Sequence, residues 1–190
     1  IAALNLIAAE TTGVVTATLA ADSLANLGAV TTAGTDAITI TVNDANAAAL
    51  TAANLSALGG KTAGTVTVTN AVAITGDHDQ VTAALVTAGT KVEVDDATVT
   101  VNDANTTAIT AAELSAIGGA TLGTVTVTNA VAIEGTAAEV TAALVTGGTK
   151  VEVDDPAVTL TTTPTIAALN LIAAETTGVV TATLAADSLA

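Results

Sequence analysis

The chain has 190 residues, 51 % hydrophobic and 11 % charged, with no Phe, Trp, Tyr, Met or Cys, and its formal net charge is -15 with Lys61, Lys91 and Lys150 as the only Lys or Arg residues. A core must therefore be built from Ala, Val, Leu and Ile, which suits a thin, uniform interior between closely spaced layers. The composition argues against nucleic-acid binding, because a negative field repels polyanions and there are no aromatic or guanidinium planes for bases to stack on; it also excludes disulfides and thiolate zinc, and no apolar run approaches the roughly 18 residues needed to cross a bilayer.

Along the chain, the first observation is repetition. The opening stretch, IAALNLIAAETTGVVTATLAADSLA, returns letter for letter from Ile166. Inside the long period that this sets, TVTVTNAVAI begins at Thr65 and again at Thr124, and GTKVEVDD begins at Gly89 and Gly148, with the same offset in both pairs. With Gly13, Gly64, Gly123 and Gly178 in register, residues 1–13 read as the end of a preceding unit. Residues 14–178 form one super-repeat of three modules (14–64, 65–123, 124–178), and residues 179–190 start the next. A second glycine splits each module, giving segments 14–34, 35–64, 65–89, 90–123, 124–148 and 149–178. Periods of about 20 to 50 residues mark repeat architectures whose single unit cannot bury its own apolar face. The chain is expected to be a window on a longer tandem array that begins inside a helix.

Segment 14–34 is the shortest and is expected to lack a full second strand. In 35–64 an alternating strand turns Thr39 and Thr41 outward. VNDAN (Asn43, Asp44, Asn46) then forms a turn before a helix in which Leu50 and Leu55 can make a hydrophobic staple. Segment 65–89 alternates strictly in TVTVT, with Val66 and Val68 on one face and Thr65, Thr67 and Thr69 on the other, and AVAI follows after an Asn corner. A helix start comes next, with Asp77 as cap and His78 on its exposed first turn. Segment 90–123 carries Lys91 and Glu93 outward, Asp95 and Asp96 at a corner, and a second VNDAN (Asn102, Asp103, Asn105). Its helix has Thr110 and Glu113 as a capping box and an Ile109–Leu114 staple; segment 124–148 repeats the plan with Thr136 and Glu139 as the box and Val140 and Leu144 as the buried stripe. Lys150, Glu152, Asp154 and Asp155 repeat the charged strand and corner in 149–178. Glycine pairs at 59 and 60, 118 and 119, and 147 and 148 are expected to end the helices in the left-handed conformation.

Each unit thus reads strand, corner, strand, short helix, glycine turn. The expected fold class is α/β, a repetitive solenoid of stacked parallel strands rising about 4.8 Å per unit, or about 29 Å for six units. A string of separate small α/β domains is the alternative, opposed by the unbroken glycine register and the lack of linkers.

Stacked corners could align Asp95, Asp96, Asp154, Asp155, Asp44 and Asp103 as oxygen ligands, and calcium is the one cofactor this pattern suggests. The same residues are ordinary turn formers and helix-start residues, and the glycine-rich calcium nonapeptide is absent. Paired carboxylates without aromatic platforms do not make a glycosidase. Outward Thr rows would suit ice binding, but Lys91, Glu93, Lys150 and Glu152 interrupt them. His78 has no second His or poised nucleophile, and Ser23, Ser56 and Ser115 have no basic partner, so no catalytic residue is assigned.

The phrases LTAANLSALGGKTAGTVTVTNAVAITG and LNLIAAETTGVVTATLAADSLANL resemble Ala, Val and Thr-rich tandem repeats of giant bacterial cell-surface proteins, notably of marine cyanobacteria. That resemblance implies an extracellular structural or adhesive role and no catalytic residues. The expectation is a non-enzymatic rod, filament, stalk or cell-surface layer that self-associates end to end through open strand edges, with no nucleic acid, membrane span or small-molecule substrate. A calcium-dependent adhesin or ice-binding module is the alternative.

Overall fold

The computed structural model describes residues 1–148 and 150–186. In chain order these form helix α1 (Ala2–Glu10), strand β1 (Thr16–Thr18), α2 (Leu24–Leu27), β2 (Ala37–Val42), β3 (Ala49–Thr51) and α3 (Ala52–Gly59). Next come β4 (Val66–Val68), β5 (Ala73–Gly76), α4 (His78–Val81) with a wider π-helical turn at Thr82–Val86, β6 (Val92–Val94), β7 (Thr98–Val101), β8 (Ala108–Thr110) and α5 (Ala111–Gly119). The chain continues through β9 (Val125–Val127), β10 (Ala132–Gly135), α6 (Ala137–Val140) with a second π turn at Thr141–Val145, β11 (Val151–Val153), β12 (Ala157–Leu160), α7 (Ile166–Ala174) and β13 (Val180–Thr181).

The fold is mixed α/β with three sheets, all parallel, and none of them a closed barrel. Their strand orders are β1-β2-β4-β6, β3-β5-β7-β9-β11 and β8-β10-β12-β13. Strict alternation in the sequence decides which side chains meet. In β4 and β9, Val-Thr-Val buries both valines and leaves the threonine half-exposed. Aliphatic side chains then lie directly over one another in successive strands: Ile40, Val66 and Val92 in the first sheet, and Leu50, Ile74, Val99, Val125 and Val151 in the second. In the third sheet Ile109, Ile133, Val158 and Val180 do the same. Within the first two of these ladders each partner follows the last at a nearly constant step along the chain.

Helices follow the same order. The π turn after α4 touches α3 and α5, and the π turn after α6 touches α5 and α7. Thr87 and Thr146 close these turns by donating their N–H to the carbonyls of Thr82 and Thr141, at 2.9 and 3.0 Å. After α6 the widened turn buries Ala143 fully beside Val140 and leaves Leu144 half-buried, so the expected Val140 and Leu144 stripe is shifted by one residue. A single cluster of buried aliphatic residues runs from Leu24 to Ile172.

Two further details differ from the sequence expectation. Segment 90–123 holds three strands: β7 continues the sheet of β5, while β8 founds the third sheet, so the next segment's first strand, β9, pairs with β7 and not with β6. Among the described residues no glycine has a positive φ; that conformation falls on Ala47, Lys91, Thr106, Lys150 and Asp155. Helix α3 ends at Gly60 with φ -67°, and α5 at Ala120 with φ -87°. Gly59 is needed for space, because a Cβ there would overlap the carbonyl oxygen of Thr90.

Candidate functional site: contacts between successive segments

The glycines that set the sequence register lie where one segment meets the segment before it. A Cβ on Gly64 would overlap the carbonyl of Ile38, one on Gly123 that of Ala97, and one on Gly178 that of Pro156. Two residues earlier stands a threonine in every case. The Thr62 hydroxyl, with one proton to give, sits 2.7 Å from the Ile38 carbonyl and 2.9 Å from that of Asp36, and accepts from the N–H of Gly64 at 2.8 Å. Thr121 donates to the Ala97 carbonyl at 2.5 Å and accepts from Gly123, and Thr176 donates to the Pro156 carbonyl at 2.7 Å and accepts from Gly178. Thr-x-Gly is therefore a latch. The hydroxyl ties a tight corner to the preceding segment, and the missing Cβ lets the two backbones close. Sequence reasoning found the glycines and missed the threonines, although Thr11, Thr62, Thr121 and Thr176 all precede an aligned glycine by two residues.

The carboxylates singled out as calcium ligands separate into two groups. Asp44 and Asp103 reach back to helix starts. Asp44 Oδ2 accepts from the N–H of Leu24 at 2.7 Å, and Asp103 Oδ2 accepts from the N–H of His78 at 2.7 Å, each satisfying a first-turn donor that has no partner within its own helix. Asn70 and Asn129 in turn donate to the carbonyls of Asp44 and Asp103. Asp95, Asp96, Asp154 and Asp155 are exposed corner residues. The Asp95 carbonyl accepts from Leu122 N–H at 2.8 Å, and Asp155 Oδ1 accepts from the N–H and hydroxyl of Thr177. Among the described residues no three His, Cys, Asp or Glu side chains converge as a metal-binding group. Asp36, in register with Asp95 and Asp154, was not anticipated; it is buried and accepts from Val15 and Ala33 N–H.

His78 is drawn further in than expected for an exposed first turn. Its side chain is 14 % exposed, with Nδ1 2.7 Å from Asp103 Oδ1 and Nε2 3.5 Å from Asp79. Burial opposes the imidazolium, yet the hydrogen bond to Asp103 and the charges of Asp103, Asp79 and Glu113 outweigh it and hold His78 above its ordinary pKa. Both expected capping boxes form: Thr110 with Glu113 and Thr136 with Glu139. The Thr110 hydroxyl and then its N–H hold the Glu113 carboxyl below the usual glutamate range. Lysines reach carbonyls in earlier segments, Lys61 Nζ that of Gly28 at 2.7 Å and Lys150 Nζ that of Leu122.

Outward threonines line up as Thr41 over Thr67 and Thr100 over Thr126, and each row then meets a glutamate, Glu93 or Glu152. Comparison with family models, with characterised proteins and with solved structures gives no match to this chain.

Proposed function

We propose that this is a non-enzymatic structural repeat protein whose segments stack as an α/β solenoid, extending into a rod that serves as a filament, stalk or surface layer outside the cell. The observation that carries the reading is the in-register stacking of like side chains at a nearly constant chain step, from Leu50 through Ile74, Val99 and Val125 to Val151 in one sheet. Parallel pairing at a constant step lets the same unit be added repeatedly, each one covering the apolar face of the last. Continuity of the buried cluster favours this over a string of small separate domains. The net charge of -15 discourages lateral clumping of such rods, leaving axial contact as the favoured association. The extracellular role rests on the resemblance to cell-surface tandem repeats.

Joining one, two and three copies of the 14–178 super-repeat and viewing the particles by negative-stain microscopy tests the reading. A rod of constant width should lengthen by about 29 Å per copy. Rounded beads, or particles that thicken with copy number, would refute it.

A further inference from the structure

The two VNDAN corners are copies of one turn, and they differ in the two residues that follow: Ala47 and Ala48 in the first, Thr106 and Thr107 in the second. Each is closed by a backbone hydrogen bond, from Ala48 N–H to the Ala45 carbonyl at 2.9 Å and from Thr107 N–H to the Ala104 carbonyl at 3.1 Å. The third residue of each turn has a positive φ, 60° at Ala47 and 66° at Thr106, a place that ordinarily takes Gly or Asn. A β-branched side chain is poorly suited to it. Among the described residues neither threonine hydroxyl makes a hydrogen bond, so Thr106 and Thr107 strain the corner and add no bond to it. What they do add is a hydroxyl two residues after Asn105, which makes Asn105-Thr106-Thr107 the triplet that N-glycosylating enzymes accept. Asn105 is exposed, and no hydrogen bond holds its side-chain amide among the described residues. The same spacing occurs once more, at Asn54-Leu55-Ser56, but there Leu55 is fully buried inside α3 and ties the triplet to the helix.

We propose that Asn105 is the acceptor of an N-linked glycan, delivered from a lipid-pyrophosphate-linked oligosaccharide by a transferase of the producing cell. The Asn105 amide nitrogen attacks the anomeric carbon of the sugar, and the new C–N bond replaces the bond from that carbon to the pyrophosphate oxygen. The amide gives up one proton to a base of the transferase, and the lipid pyrophosphate leaves. The Thr107 hydroxyl is the group by which the transferase recognises the triplet. Binding draws the corner away from the Ala130 carbonyl, which holds the Thr106 N–H at 2.9 Å, and the strained left-handed threonine lowers the cost of that opening. A bulky, hydrated glycan on this corner keeps neighbouring rods apart at salt concentrations that screen the negative charge of the chain. The inference rests on the extracellular reading, because the triplet is an acceptor on secreted chains.

The test incubates the purified, folded chain with a lipid-linked oligosaccharide and a transferase already shown to modify a free peptide containing Asn-Thr-Thr. The intact mass should rise by a single glycan, and peptide mapping should place it on Asn105 and not on Asn54. Thr107→Ala, which leaves the backbone bonds of the corner in place, should abolish the modification. Ala48→Thr gives the first corner the same triplet and should add a second glycan at Asn46. An unmodified wild type, a glycan on Asn54 in place of Asn105, or a Thr107→Ala chain modified as fully as wild type overturns the inference, as does an Ala48→Thr chain that gains nothing. Protein recovered from the surface of its own cells should already carry the glycan. A surface chain bare at Asn105 refutes the acceptor, whereas a chain found only inside the cell refutes the extracellular reading on which it rests.

Discussion

Residues 65–103 and 124–162 are two renderings of one plan, with the same strands from TVTVTNAVAI and the same π turn from TAALV. They part at the start of the helix. In the first, Asp77 accepts from Gln80 N–H at 2.8 Å, and Asp103 takes both the N–H and the ring of His78. In the second, Thr136 and Glu139 exchange bonds in a capping box, and Ala137 N–H reaches Thr162 Oγ1 at 3.4 Å. The difference teaches that stacking fixes which backbone donors need a partner, while the side chain that supplies it is exchangeable. A residue such as His78, which looks singular in the sequence, fills an ordinary place in the repeat.

That comparison can be broken most forcefully at the latch glycine that immediately precedes each region, Gly64 or Gly123. Gly123→Ala places a Cβ against the Ala97 carbonyl and should cost about 2 to 3 kcal/mol by overpacking. Gly147→Ala, with open space around it, should be neutral or slightly stabilising. Equal losses in thermal melts would contradict the latch. The next effect separates the regions: Asp103→Ala strands the His78 N–H and ring and should cost about 2 kcal/mol, against less than about 0.5 for Thr162→Ala at its long, exposed bond.

A smaller effect is the pH dependence near neutrality that His78 gives the first region; the second region has an alanine at that place, and its Glu139 is held below the usual glutamate range. Because His78 is raised in the folded state, its stabilisation is complete below about pH 6.5 and is lost as pH rises through the folded value. Wild type should therefore lose about 2 °C or less in Tm on going from pH 6 to 8, and a His78→Ala, Asp103→Thr variant carrying the second region's pair should lose this slope. Glu113 works in the opposite sense, its stabilisation falling away as pH drops below the glutamate range. The smallest expected effect is none: with Asp44 and Asp103 occupied as helix caps, removal of calcium by chelator should leave Tm unchanged. A fall of many degrees would favour the calcium-dependent alternative.

Much of the fold was legible because the sequence announces it locally. Strict alternation at Val66 and Val68, and Thr followed three residues later by Glu at 110 and 136, each determine one local structure. Partners a whole segment away were not legible. Asp44 and Asp103 read equally well as helix-start residues or as ligands until Leu24 and His78 are seen as their donors. Glycine offers both a left-handed turn and close approach, and only Thr90 over Gly59 or Ala97 over Gly123 decides between them. The end of the first sheet at β6 and the start of the third at β8 are not encoded by alternation, which marks strands and not their partners.

The account stands on neighbouring segments covering one another's aliphatic faces, and unfolding residues 65–123 by themselves tests this most directly. The isolated module should lack a cooperative denaturant transition, while one and two full periods unfold with rising midpoint and slope. A module that folds alone, with the midpoint of the whole chain, would contradict it.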